Sequence, residues 1–89
     1  MHYRLTYTKQ ALDDLSDLPN KTGKRIFNKI EWFKNNNPIH SAKKLINPNY
    51  GTYRWRVGDY RVLFDVNSNG EIQILLILTI KHRKDVYEK

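Results

Sequence analysis

Apolar residues alternate with polar ones at the start of the chain and again through its second half; between these they recur at helical spacing. Tyr3, Leu5 and Tyr7 share one side of "YRLTY" and Arg4 and Thr6 the other, the period-2 pattern of a strand. Thr8 then fits as the N-cap of a first helix, "KQALDDLSDL". Ala11, Leu12, Leu15 and Leu18 give it an apolar side, and Asp13, Asp14 and Asp17 a polar one. Pro19-Asn20 breaks it. A second helix is predicted from Lys21 to Asn35, with Ile26, Ile30 and Phe33 as its stripe and Phe27 beside them. Lys21, Lys24, Arg25 and Lys29 read as the ordinary solvated side of that helix.

"NNNPIHSAKKLINPNYGT" is rich in Asn, Pro and Gly and reads as a connection, with a short helical turn expected around Ser41 to Leu45. Three strands follow. Tyr53 to Val57 turns at Gly58-Asp59 into Tyr60 to Val66, and "NSNG" turns that strand into Glu71 to Ile80. Joins this short demand antiparallel neighbours, hence a meander. "IQILLILTI" is apolar on both faces, which predicts a central or doubly covered strand. "KHRKDVYEK" follows as a short tail, read as a single helical turn. The order β-α-α-β-β-β predicts an α+β domain with an antiparallel sheet and a helix pair packed on one face. No third helix is predicted to cover the other face, so that face is expected to stay partly open.

Size and charge narrow the picture. Eighty-nine residues suffice for one core, so residues 1–89 read as a single domain. The net charge of +7, from 16 Lys+Arg against 9 Asp+Glu, favours a polyanionic partner: nucleic acid, an acidic protein or an anionic membrane. With no cysteine there is no disulfide, thiolate metal site or cysteine nucleophile. The longest apolar run, Ile74 to Leu78, is too short to span a bilayer, and the first ten residues lack the apolar core of a signal peptide. These features are those of a soluble cytoplasmic protein without membrane association.

Strand parity then isolates the chemistry. In "YRWRVGDYRVLF", Tyr53, Trp55 and Val57 share one face, Arg54 and Arg56 the other, and the tight turn brings Arg61 to their side. Guanidiniums on neighbouring strands repel one another unless an anion lies between them, and their planar fork matches phosphate. The alternative is surface ion pairing with Asp59, Asp65 and Glu71. The tail adds Lys81, His82 and Arg83, with Tyr87 four residues beyond. Cations around His82 disfavour its protonation, so it is a candidate general base. Tyr87 can stack on a base, exchange a proton or close the core. His2, His40 and His82 are far apart with no acidic companion, and no glycine-rich phosphate loop exists, so no metal or other cofactor is expected. The acids cluster on the first helix, leaving Lys, Arg, His and Tyr for acid–base work. Such a set suits a metal-free ribonuclease, in which cations stabilise a phosphorane and the RNA's own 2′-hydroxyl attacks.

"GTYRWRVGDYRVLFDV" together with "IKHRKDVY" resembles the RelE/ParE toxin superfamily, specifically its RelE-like mRNA interferases, over almost the whole chain. The resemblance implies the RelE-like microbial RNase fold and the toxin of a type II toxin–antitoxin pair, a ribosome-dependent endoribonuclease that cleaves A-site mRNA and inhibits translation. It implies ribosome, mRNA and a cognate antitoxin as partners. It also places Arg54 and Arg56 near the scissile phosphate, Arg61 on the phosphate-stabilising arginine, Arg83 in the basic "HR" element and Tyr87 on the terminal tyrosine. His82 matches a histidine present in some members. Lys43 and Lys44 would contact RNA, as would Arg56. Some members carry arginine at the position of Lys81, which leaves Lys81, His82 and Arg83 as candidates for the leaving-group acid. Two alternatives come with the resemblance: a non-catalytic ParE-like gyrase inhibitor, and a decayed or RNA-binding toxin that only binds its antitoxin.

Overall fold

A computed structural model of the chain describes residues 2–44 and 53–85. Strand β1 (His2–Tyr7) leads into helices α1 (Lys9–Asp17) and α2 (Asn20–Asn35), then β2 (Lys43–Lys44), β3 (Tyr53–Val57), β4 (Tyr60–Asn69) and β5 (Ile72–His82). A 3-10 turn, Arg83–Asp85, follows β5. The five strands form one sheet in the order β1-β5-β4-β3-β2.

The helix pair covers one face, as the apolar stripes require. Ile26, Ile30 and Phe33 of α2 and Ala11 of α1 are buried with Trp55, Val57, Val62, Phe64, Leu75, Ile77 and Ile80 from the sheet. At the centre Phe33, Trp55 and Phe64 stack, with ring centroids 4.9 Å and 3.9 Å apart. The Trp55 indole donates to the carbonyl of Pro38 (2.8 Å), so its one polar atom is satisfied inside the core. This bond ties the segment after α2 to β3. Asn37, in the left-handed region at φ 53°, redirects the chain just before it.

The predicted meander is present: β3 pairs antiparallel with β4 across Gly58-Asp59, and β4 with β5. Gly58 takes φ 59°, which a two-residue turn needs and a residue with a Cβ resists. β5 lies between β1 and β4, consistent with its two apolar faces. Two features extend the expected sheet. β1 runs parallel to β5, so the sheet is mixed, and a fifth strand, β2, pairs with β3. That strand corrects the helical turn expected around Ser41 to Leu45: residues 38–41 form a turn and Lys43–Lys44 continue as strand, while Leu45 lies outside the described residues. β4 also runs on through "NSN", and the chain reverses at Gly70 (φ 65°) and Glu71.

Regular alternation does not anticipate one irregularity. Leu63 pairs with Thr79 but the next residue, Phe64, pairs with Ile77, so Leu78 is an extra residue in β5. α1 braces this bulge. β1 ends opposite Ile77, and from there Thr8 and Asp14 satisfy the backbone of β5. Thr8 N donates to Ile77 O (3.0 Å) and Thr8 Oγ1 to Leu78 O (2.7 Å). The Asp14 carboxylate accepts from Ile80 N (3.0 Å) and from the Thr79 hydroxyl. Thr8 at the same time caps α1, accepting from Ala11 N at 3.1 Å.

Candidate functional site

The face away from the helices carries the cations. Register sets Arg56 opposite Arg61 and Arg61 opposite Lys81, a line of three positive side chains across β3, β4 and β5. Lys43 lies opposite Arg54, adding a second pair two residues along β3. Cross-strand neighbours of like charge destabilise a sheet, so an ordinary sheet surface avoids this arrangement. Between these side chains lies a cavity of about 180 Å³ lined by Ser41, Lys43, Arg54, Arg56 and Arg61, none of them acidic.

Arg61 is the anchor. It is only 5% exposed, and its Nη1 donates to the carbonyls of Gly58 (3.1 Å) and Tyr60 (3.0 Å). Burying a guanidinium is costly, and hydrogen bonds to carbonyls offset part of that cost while fixing one edge of the fork. The tight turn therefore also orients this side chain. Arg56 is exposed at the rim and Arg54 half-buried.

The bulge decides which tail residues join. With unbroken alternation from Leu75 and Ile77, residue 81 would point to the helix face. The extra residue at Leu78 reverses the parity, so Lys81 joins Arg61 on the open face and His82 pairs with Tyr60 on the other. His82 packs edge-to-face on the Tyr60 ring, centroids 5.4 Å apart, and its Nδ1 accepts from Lys84 N at 3.2 Å. Arg83 docks on the β3–β4 turn: its backbone N donates to Asp59 O (2.7 Å) and its Nε lies 3.8 Å from the Asp59 carboxylate. Lys44 lies opposite Tyr53 and so has the parity of the core face, apart from Lys43. Tyr87 lies outside the described residues.

The structure thus gathers Lys43, Arg54, Arg56, Arg61 and Lys81 on one face and sets His82, Arg83 and Lys44 around it. Sequence reasoning missed Ser41, whose position two residues before Lys43 is its only signal. It also missed the bonds that Thr8 and Asp14 make to β5 beside the bulge. Among the described residues, no cluster of His, Asp and Glu is placed to hold a metal ion, and no helix is long and apolar enough to cross a membrane.

A helix pair packed on one face of a five-stranded mixed sheet is an α+β build. The sequence profile of the family described as "ParE toxin of type II toxin-antitoxin system, parDE" matches residues 5–87. Toxin RelE3 of Methanocaldococcus jannaschii is 31% identical over 88 residues, covering 96% of each chain. Among solved structures, the archaeal RelE-RelB complex from Pyrococcus horikoshii OT3 aligns at a TM-score of 0.69 and 27% identity, covering 97% of this chain and 100% of that one. The RelB-RelE antitoxin-toxin complex from Methanococcus jannaschii aligns at 0.56 and 33% identity, covering 88% and 89%. The chain belongs to the RelE/ParE family of type II toxins.

Proposed function

We propose that this protein is the toxin of a type II toxin–antitoxin pair and acts as a ribosome-dependent mRNA endoribonuclease. The observation that carries this reading is the line Arg56–Arg61–Lys81 with the cavity beside it: like-charged across three strands, with Arg61 held by its carbonyl bonds and Arg56 exposed at the rim, it suits a phosphate. Arg61, oriented by its carbonyl bonds, and Arg56 and Arg54 neutralise the phosphoryl oxygens as charge builds on the phosphorane. The RNA's 2′-hydroxyl forms the new P–O bond and loses its proton to solvent base. The P–O5′ bond breaks, and Lys81, adjacent to Arg61, donates a proton to the departing 5′-oxygen. The products are a 2′,3′-cyclic phosphate and a 5′-hydroxyl, reached without a metal. Lys43 extends the positive track for the RNA backbone. The partners are mRNA in the ribosomal A site and, for neutralisation, a cognate antitoxin, as in the RelE–RelB complexes it resembles. Action on translating ribosomes places the protein in the cytoplasm.

Primer extension on mRNA after induced expression tests this. Cleavage confined to translated transcripts supports it; intact mRNA overturns it. A second reading has its own support, because the matching family profile is described by its ParE members. In that case the cations bind a protein surface, DNA gyrase, and no RNA is cut. Accumulation of cleaved-DNA gyrase complexes with mRNA untouched would select it.

A further inference from the structure

The apolar stripe of α1 has an acid in it. Ala11, Asp14, Leu15 and Leu18 stand at i, i+3, i+4 and i+7, so residue 14 falls where an amphipathic helix buries a hydrophobic side chain. Asp13 and Asp17 are exposed, whereas Asp14 is half-buried. Taking a carboxylate out of water is costly unless donors surround it, and here they do. Its Oδ2 accepts from Ile80 N (3.0 Å) and from the Thr79 hydroxyl. Its Oδ1 accepts from Gln10 Nε2, one turn earlier on α1, at 2.8 Å. Thr8, the cap of the same helix, holds Ile77 O and Leu78 O. The start of α1 thus grips four consecutive residues of β5, from Ile77 to Ile80.

Those residues set the position of Lys81. Ile77 and Ile80 are both buried although they stand three apart, so burial alone demands an extra residue between them. Burial does not fix the path of the backbone beyond that residue. Counting straight on from the Phe64–Ile77 pair would set Arg61 opposite Ile80 and Tyr60 opposite Lys81. The observed partners are Arg61 with Lys81 and Tyr60 with His82. Lys81 therefore faces a guanidinium that repels it, on a long side chain free to turn away. The last two residues before it, Thr79 and Ile80, are the two that Asp14 holds.

We propose that Asp14 is a positioning residue for RNA cleavage: oriented by Gln10, its carboxylate pins β5 at Thr79 and Ile80 and keeps Lys81 beside Arg61 against their repulsion. Asp14 acts only through β5 and touches no RNA. The inference rests on the nuclease reading above, in which Lys81 protonates the departing 5′-oxygen.

A double-mutant cycle on programmed ribosomes, run well below the Tm of each variant, tests it. Asp14→Asn should lower kcat about tenfold with KM nearly unchanged, because a misplaced proton donor is felt in the transition state. In the Lys81→Ala background the same change should have almost no further effect. Thr79→Val, which removes one donor and leaves the charge on α1 intact, should give a smaller fall of the same kind. The inference is overturned if the Asp14→Asn and Lys81→Ala losses multiply, or if Asp14→Asn raises KM and leaves kcat unchanged, as general damage to the site would. A second readout needs no cleavage: the NMR shift of the Lys81 side chain on addition of inorganic pyrophosphate. Asp14→Asn should diminish that shift while the response of Arg61 persists, and equal Lys81 shifts in the two proteins overturn the inference. If wild-type protein cuts no mRNA but the Lys81 shift depends on Asp14, the nuclease reading fails and the positioning role stands.

Discussion

Arg61 is nearly buried on a sheet face that also carries Arg54, Arg56 and Lys81. Arg56 lies directly opposite it and exposed. Arg56→Gln should therefore stabilise the free protein by about 0.5 kcal/mol, read by urea unfolding at low salt, while weakening RNA binding. Loss of stability in that variant would show that the pair is not repulsive. Tyr7 carries another local cost. Its hydroxyl is buried without a partner beneath Phe27, rings 6.0 Å apart. Burial, and to a smaller degree the Glu31 carboxylate, push its pKa from 10.0 up to about 12. The folded state thus holds the Tyr7 proton more tightly than the unfolded chain. The associated stability is complete below pH 10 and is lost as pH rises from about 10 to about 12. Tyr7→Phe should flatten that part of the pH–stability curve and raise stability at neutral pH by about 1 kcal/mol, since an unsatisfied polar group is removed.

At the scale of elements, the β5 bulge and the helix that braces it matter most. The alternation of apolar residues makes the strands, both helices and the meander legible, because one buried face imposes period 2 and one buried stripe period 3.6. The same alternation puts Arg54, Arg56 and Arg61 together, as the register shows. It does not reveal the bulge, since "IQILLILTI" is apolar at nearly every position and an extra residue leaves no mark on such a pattern. Nor does it reveal the parallel pairing of β1 with β5, a long-range contact without local signature, or β2, whose two residues are both lysines. The bulge makes the roles of Lys81 and His82 separable. Lys81→Ala should slow mRNA cleavage about 100-fold, the scale of losing a general acid, and His82→Ala only a few-fold. The reverse order would place the proton donor on the other face. Asp14→Asn weakens the brace: unfolding should show a loss of about 1–3 kcal/mol, from the charge-assisted bonds to Ile80 N and Thr79. Cleavage should fall further than that stability loss explains when measured well below Tm, because Lys81 is then no longer held beside Arg61.

Over the whole molecule, two basic surfaces lie on the two sides of one small sheet. The open face is crossed by Arg56, Arg61 and Lys81, and on the helix face Lys21, Lys24, Arg25 and Lys29 of α2 line a groove with Trp32 and Val57. The net charge of +7 is spread so that both surfaces carry cations, which favours anionic partners. The core that holds both surfaces in place centres on Trp55, whose indole bond to Pro38 O also secures the entry to β2. The measurement that tests the account most directly is cleavage of mRNA on ribosomes programmed with an empty A site, with product ends mapped chemically. Wild-type protein should cut within the A-site codon and leave a 2′,3′-cyclic phosphate, and Arg61→Ala should slow the cut by about 100- to 1,000-fold while remaining folded. Intact A-site mRNA with the wild type, or undiminished cleavage by Arg61→Ala, would contradict it.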